Sequence, residues 1–487
     1  MAVAIALPSL ELSEDEKKLV TELRGRIEKY AQINARKQDF YEGKQKVEHL
    51  DIAVPPQLKD LFVSVGWPGT VVDVLEERLD WQGWNAVTGD LLGLDDIYRD
   101  NLLALESSRA HLEALITGTG FVTVGKGDTT IGEPEVLITV ESASSTTALW
   151  DYRTRRVTAA LSQTRDENNN VILESLYLPN ETILFERVNR KLSVVDRQVH
   201  NLGRVLVSRL RNRDRAFDLE GRSEITKPVM YYTDAACRTM LGMEINREFY
   251  TAPQRYALGA EPEQFGVTED STADERIMAG WRVAMGRLNI IPATEDGDIP
   301  TMGQFNPAPP TPYIEQIKAY SQMVSSESGI PATYLGFVTE NPPSADSIRQ
   351  AEYRLVKRAE RRQVAFGQAW REVGYLALLA RDQTVNPDDF KRIGVKWRDA
   401  ATPTRAAAAD EAMKLVSAQI LTPDSGVTYD RVGLSPEDQE RVIEDKRKAR
   451  VKELINGLPA AGAAARQDPN ATQMAQQGVS GANGTTG

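Results

Sequence analysis

In 487 residues there is one cysteine, Cys237, and there are three histidines, His49, His111 and His200. A single thiol excludes an intrachain disulfide and a cysteine-based zinc site, and it suits a reducing compartment. The histidines stand far apart in sequence and offer no metal-ligand spacing, so no metal and no cofactor is expected. No apolar run approaches the length of a membrane-spanning helix, and no membrane partner is expected. The opening stretch Ala2–Leu7 is apolar but short and lacks a basic flank, so it does not read as a signal peptide. Positive charge is also in deficit, with 58 Lys and Arg against 70 Asp and Glu, 58 − 70 = −12. Coating a nucleic acid needs clustered cations, so that class is disfavoured. Loose contact is not, because acidic walls repel phosphates and let a duplex slide.

Enzyme signatures are equally scarce. There is no Gly-x-Ser-x-Gly elbow and no His-Glu-x-x-His helix. The nearest approach to a phosphate loop is Gly120-Phe-Val-Thr-Val-Gly125-Lys126, but Gly127 follows where Ser or Thr should bind magnesium. Phe121–Val124 are strand formers and no helix follows Lys126, so a β-hairpin with a glycine-rich turn is the better reading. The acidic pairs Asp95-Asp96 and Asp388-Asp389 read as helix starts. Trp281, Trp370 and Trp397 read as packing residues rather than base-stacking platforms.

What is present is an alternation of helices and strands. Ser13 followed by Glu14, Asp15 and Glu16 starts a helix over 13–40 with Leu19, Leu23, Ile27 and Tyr30 as its stripe. Helices are expected over 69–80 and 94–117, the latter striped by Leu102, Leu105, Ala110, Leu112 and Leu115. From 120 to 208 the period falls to two, with β-like runs at Phe121–Val124, Val136–Val140, Val157–Leu161, Val171–Leu178, Thr182–Phe185 and Val205–Val207. Thr226 caps a helix of roughly 226–249, about 36 Å long. A Gly/Pro-rich stretch with helical Asp274–Met285 and a strand at Leu288–Ile291 leads to a helix at Tyr313–Ser328. A loop from Gly329 to Pro343 precedes a long helix to about Asp382, in which Gly367 and Gly374 are possible bends. A weak β segment surrounds Val395–Trp397, helices follow near 404–420 and 435–456, and the Gln/Ala/Gly-rich end is expected to be disordered. The fold class is α+β, a mainly antiparallel sheet region set among helices.

Two basic clusters stand out in an acidic chain. Arg349, Arg354, Lys357, Arg358, Arg361 and Arg362 load the long helix. Arg441, Lys446, Arg447, Lys448, Arg450 and Lys452 crowd the last one. Both read first as solvated or salt-bridged faces and second as DNA-adjacent ones.

The stretch Gly329-Ile-Pro-Ala-Thr-Tyr-Leu-Gly-Phe-Val-Thr-Glu-Asn-Pro-Pro-Ser-Ala-Asp-Ser-Ile-Arg-Gln-Ala-Glu-Tyr-Arg-Leu355 resembles the siphophage-type portal proteins of tailed phages, the actinobacteriophage and SPP1-like group. Tyr41-Glu42-Gly43, Val71-Val72-Asp73, Arg78-Leu79, Trp84, Leu176-Tyr177-Leu178-Pro179 and Gly221-Arg222-Ser223-Glu224-Ile225 match in order, so the resemblance covers about 15–460. Ala332 stands where the family has a second Pro, and Pro343 is extra before Ser344.

The resemblance implies a non-enzymatic ring of about twelve subunits around a DNA channel. A mixed wing would occupy 1–222, a first stem helix 223–250, a clip 251–310 and a second stem helix 311–328. A tunnel loop would span 329–343, a long helix with wing return 344–403, a helical crown 404–462 and a tail 463–487. Phe337, Val338, Thr339, Glu340, Asn341, Pro342 and Pro343 would touch DNA. Partners would be other copies of the chain, double-stranded DNA, the terminase large subunit, the head–tail adaptor, and major capsid and scaffolding proteins. Location would be the capsid vertex after assembly in the host cytoplasm. The alternatives are another virion structural or minor capsid protein, and a soluble nucleotide-binding enzyme using Lys126.

Overall fold

The computed structural model describes residues 11–452, apart from 48–62, 87–88, 189–190, 217, 219, 252–254, 260–262, 264–266, 286–298, 300, 305, 307–308, 337–343, 402–404 and 436–437. The expected strand at Leu288–Ile291 and the C-terminal tail lie outside the described residues. The chain divides into two units, Met1–Ala400 and Ala401–Gly487.

The first unit opens with α1 (Glu14–Glu42), α2 (Trp67–Glu76) and β1 (Trp81–Ala86). Next come α3 (Leu94–Asp100), α4 (Leu103–Thr117), β2 (Thr119–Lys126), β3 (Val136–Glu141), β4 (Thr146–Asp151) and β5 (Arg156–Arg165). They are followed by β6 (Val171–Tyr177), β7 (Glu181–Val188), β8 (Lys191–Val199) and β9 (Val207–Arg211). The unit continues through α5 (Lys227–Thr251), β10 (Arg255–Leu258), α6 (Ala273–Met285), β11 (Thr301–Gln304) and α7 (Thr311–Ser328). It closes with α8 (Ala345–Asp382), α9 (Pro387–Phe390) and β12 (Ile393–Trp397). The second unit holds α10 (Arg405–Ser417), α11 (Gly426–Val432) and α12, residues 438–452.

The strands form antiparallel sheets ordered β4-β5-β6-β7-β8 and β3-β2-β9, with two-stranded pairs β1-β12 and β10-β11. The molecule is therefore mixed α and β.

Local chemistry starts α1 where the sequence says it should. Ser13 and Glu16 form a reciprocal capping box, and Gly43 ends the helix at φ +68°. The buried stripe of Val20, Leu23 and Ile27 lies on the five-stranded sheet against Leu161, Leu176, Ile183 and Phe185. Ion pairs from Arg24 to Glu174 and from Arg197 to Glu16 (3.0 Å) and Glu181 (2.9 Å) pin that layer.

The expected 94–117 helix is two helices. Asn101 leaves the helical path because its side chain serves β3. Its Nδ2 donates to the Val136 carbonyl (2.8 Å) and its Oδ1 accepts from the Ile138 amide (2.8 Å). Leu102 then sits at φ +49°, and Leu102 and Leu105 point to solvent instead of joining the apolar stripe. Five strands, β1, β4, β8, β10 and β11, lie where no run was expected.

Lys126 ends a strand. The preceding residues pair with β3 and β9, and the Gly127 amide donates to the Glu135 carbonyl (3.0 Å). A phosphate loop needs those amides free and a helix after the lysine. The geometry here has neither, so the nucleotide reading of this segment falls.

α8 runs unbroken through both of its glycines. Gly367 leaves room for Val395 and Trp397, and Gly374 for Trp84, whose Nε1 would lie 2.6 Å from an added Cβ. Trp84 Nε1 donates to the Trp370 carbonyl (2.9 Å), and Trp370 stacks on Trp81 at 4.2 Å. Trp370 Nε1 in turn donates to buried His111 (2.9 Å). Burial drives the pKa of His111 down to about 3, so the imidazole stays neutral as an acceptor. Trp370 is thus a core residue, as expected, and Trp397 packs against that core.

Gly374→Ala should destabilise the fold by about 1–3 kcal/mol, since the added methyl must displace a hydrogen-bonded indole in a filled core. Denaturant unfolding of the two proteins checks this. An unchanged midpoint would mean that the Trp84 contact is not tight.

Candidate functional site

The site of interest is the root of the α5/α7 pair, where the segment leading to the expected tunnel loop leaves the core. Thr226 caps α5 by accepting from the Val229 amide (3.5 Å), with Pro228 in the first turn. α5 and α7 run antiparallel. Thr226 donates to Glu327 (3.2 Å), Tyr232 stacks near Tyr320 (6.3 Å), and Gly242 faces Tyr313. Small side chains hold them close. Thr233 and Ser321 are buried, with hydroxyls donating to their own helices at Val229 (2.8 Å) and Lys318 (2.8 Å).

At the root sits a buried carboxylate. Glu224 receives Arg362 at 2.5 Å, Arg358 on the same group, and Arg213 at 3.5 Å. Asn212 joins it, with Nδ2 donating to Glu224 Oε1 (3.0 Å) and Oδ1 accepting from Arg362 Nε (3.1 Å). Burial alone would raise the Glu224 pKa. Arg362, Arg358 and Arg213 outweigh burial and hold it below the ordinary carboxylate range.

The surplus of cations has a second outlet. Arg358 also donates to the carbonyls of Glu327 (3.3 Å) and Ser328, and Arg354 to that of Ser326 (2.7 Å). These are the last carbonyls of α7, the negative end of its dipole. Gly329 turns the chain at φ +73°, and an added Cβ there would come within 3.1 Å of the Arg354 side chain.

The six basic residues of the long helix therefore divide by face. Arg354, Arg358 and Arg362, four apart, turn toward the root. Among the described residues, Arg349 and Lys357 carry helix-local pairs, with Asp346 (3.7 Å) and Glu360 (2.6 Å), and Arg361 is exposed. The inward face is structural, in line with a salt-bridged role.

Phe337, Val338, Thr339, Glu340, Asn341, Pro342 and Pro343 lie outside the described residues, but both anchors of that segment are in view. Before it, Leu335 is buried and its carbonyl accepts from Trp67 Nε1 (3.3 Å). Tyr334 donates to Glu352, which also pairs with Arg78 (3.1 Å). After it, Ser344 caps α8 by accepting from the Ser347 amide (3.2 Å).

Other residues of the ordered motifs are also locking points. Tyr41 donates to Asp73 (2.9 Å), and burial followed by that carboxylate pushes the phenol up to about 12. Gly221 holds φ +80° against the backbone of Gly118.

Glu224 falls in the Gly221–Ile225 motif, whose order of residues does not by itself show a buried anchor. The available signal was the spacing of Arg354, Arg358 and Arg362 beside buried Leu355, Ala359 and Phe366. Cations at the edge of an apolar stripe require an acid from elsewhere in the chain.

Glu224→Ala should cost about 3–5 kcal/mol, because Arg358 and Arg362 stay buried without their counter-charge. Glu224→Gln should recover only part of that. The folded pKa is lowered, so the contribution is full above the unfolded value of about 4.3 and is lost as pH falls through the folded one. The gap between wild type and Glu224→Gln should therefore narrow below about pH 4. Denaturant unfolding at neutral and acid pH measures it, and a gap independent of pH would rule out an ionised anchor.

The profile of the family described as phage portal protein, SPP1 Gp6-like, matches residues 23–449. The portal protein of Mycobacterium phage L5 is 31% identical over 473 residues, which is 95% of this chain and 94% of that protein. The portal protein of Mycobacterium phage D29 is 33% identical over 385 residues, 77% of each. Among solved structures, a chain from the neck of a native GTA particle computed with C12 symmetry aligns at a TM-score of 0.44 and 13% identity. That alignment covers 76% of this chain and 90% of that one. The corresponding neck of an empty GTA particle, computed with C6 symmetry, gives 0.44 and 14%, over 76% and 89%. On the strength of the family profile and the two mycobacteriophage relatives, this chain belongs to the SPP1 Gp6-like family of phage portal proteins.

Proposed function

We propose that about twelve copies of this chain close into a ring at one capsid vertex. The ring would be the channel through which double-stranded DNA is packaged and ejected. The observation that carries this is the antiparallel α5/α7 pair fixed at its root by Glu224, with the 251–310 segment inserted at the opposite end. One such pair per subunit walls a bore, and an insertion at the far end is placed to meet other proteins.

In this reading 1–222 and 344–403 form the wing and 223–250 with 311–328 the stem. The 251–310 clip docks the terminase large subunit during packaging and the head–tail adaptor afterwards. Residues 404–462 form the crown and 463–487 a tail. Major capsid and scaffolding proteins surround the assembly, which is built in the host cytoplasm.

The role is structural rather than catalytic. ATP is hydrolysed by the docked motor, while the channel contacts DNA weakly and without base preference. The net charge of −12 on each subunit favours that weak contact. Residues 337–343, held between the Leu335 and Ser344 anchors, reach the DNA as the tunnel loop.

The purified full chain should give a native mass near twelve times the 54.0 kDa subunit and annular particles in negative stain. Solid particles without a central hole would favour a different virion structural protein. Within assembled heads, Glu340→Ala with Asn341→Ala should reduce DNA packaged or retained. Unchanged DNA content would remove the loop from the mechanism.

A further inference from the structure

α12 is the most exposed helix of the C-terminal unit. α10 and α11 pack together and bury Ala408, Ala412, Thr428 and Tyr429. In α12 every residue except Gln439 and Val442 is exposed. Its attachments to the rest of the unit run along its length, through Gln439, Lys446 and Arg450. Gln439 donates to Asp430 (2.8 Å), Lys446 reaches Asp424 and the Tyr429 hydroxyl (2.7 Å), and Arg450 approaches Asp424 (3.4 Å).

Residues 446–452 read Lys-Arg-Lys-Ala-Arg-Val-Lys, five cations with no acid, in a chain whose net charge is −12. Lys448 has a helix-local partner in Glu444 (2.9 Å), while Arg447 and Lys452 have no ion pair among the described residues. A protein-docking helix presents a continuous apolar stripe. Here the exposed Ile443 and Val451 have Arg447 between them on the same side, so the stripe is broken by charge.

We propose that the basic end of α12 is a binding surface for duplex DNA, gripping phosphates without reading bases. Lys446 and Arg450 are turned to Asp424, which leaves Arg447, Lys448 and Lys452 without a tie to another element among the described residues, within about 8 Å of helix. Duplex DNA carries one charge per roughly 1.7 Å of axis, so phosphates are in reach of each of the three. The attraction is to phosphates, so it implies affinity without sequence preference. The inference goes beyond the ring reading and does not need it, because a single subunit carries the whole surface.

The test is a fluorescence-anisotropy titration of the full-length protein with a random-sequence duplex of about 30 base pairs over a salt series. The probe set also includes a polyglutamate peptide. The variant is Arg447→Ala/Lys448→Ala/Lys452→Ala. At about 50 mM salt it should bind duplex at least about tenfold more weakly, and its log–log salt slope should be shallower by roughly 2–3. Changing Arg349, Lys357 and Arg361 of α8 to alanine should leave both unchanged. Circular dichroism verifies folding, and Arg447→Gln/Lys452→Gln is the fallback should the triple variant unfold. The proposal is overturned if the variant binds duplex like wild type, if wild type binds no duplex at low salt, or if it binds polyglutamate in preference to duplex. The last result would assign the helix to an acidic protein partner.

Discussion

A carboxylate removed from water fixes the centre of this molecule. Glu224 is buried at the foot of α5 and is tolerable there because Arg358, Arg362 and Arg213 converge on it. One acid against three arginines leaves positive charge over, and the terminal carbonyls of α7 take up part of it through Arg358 and Arg354. Three chain segments far apart in sequence therefore meet at one electrostatic knot. A shift of α5 at its root would disturb the Glu224 ion pairs, and a shift of α7 would break the hydrogen bonds from Arg354 and Arg358 to its last carbonyls.

The long helix α8 carries most of the consequences. One face holds the arginines of the knot. Another is cut back to glycine at 367 and 374, so that Trp84, Val395 and Trp397 of the β1-β12 pair can press against its backbone. A third, with Arg349, Tyr353, Lys357 and Arg361, is exposed. Its first turns are tied through Glu352 to Tyr334 and Arg78. The residues on either side of 337–343 are thus fixed, Leu335 by Trp67 and Ser344 as the cap of α8.

The motifs that carry the family resemblance lie at these constraints more than at any chemistry. Tyr41 meets Asp73, Arg78 meets Glu352, Trp84 lies in the glycine gap, and Glu224 makes the knot. For a subunit proposed to work as a rigid part of a ring, fixed geometry is the functional requirement. Fold-locking residues and functional residues are then hard to tell apart.

The helices were legible wherever their ends are set locally. Ser13 with Glu16, Thr226 with Pro228, and Ser344 each start a helix within a residue or two of the expected place, and Gly43 and Gly329 stop two of them. Caps and apolar stripes depend on neighbours three or four residues away, so the order of residues suffices to find them. The strands β1, β4, β8, β10 and β11, the break at Asn101 and the partners of Glu224 were not legible in the same way. A strand is stabilised by its cross-strand neighbours, Asn101 leaves its helix to satisfy β3, and a buried acid depends on cations more than a hundred positions away. Local order decided which segments are helical and which are acidic or basic. Only packing in three dimensions decided which charges face inward as structure and which remain outside, because burial makes an ion pair obligatory and the sequence does not state what is buried.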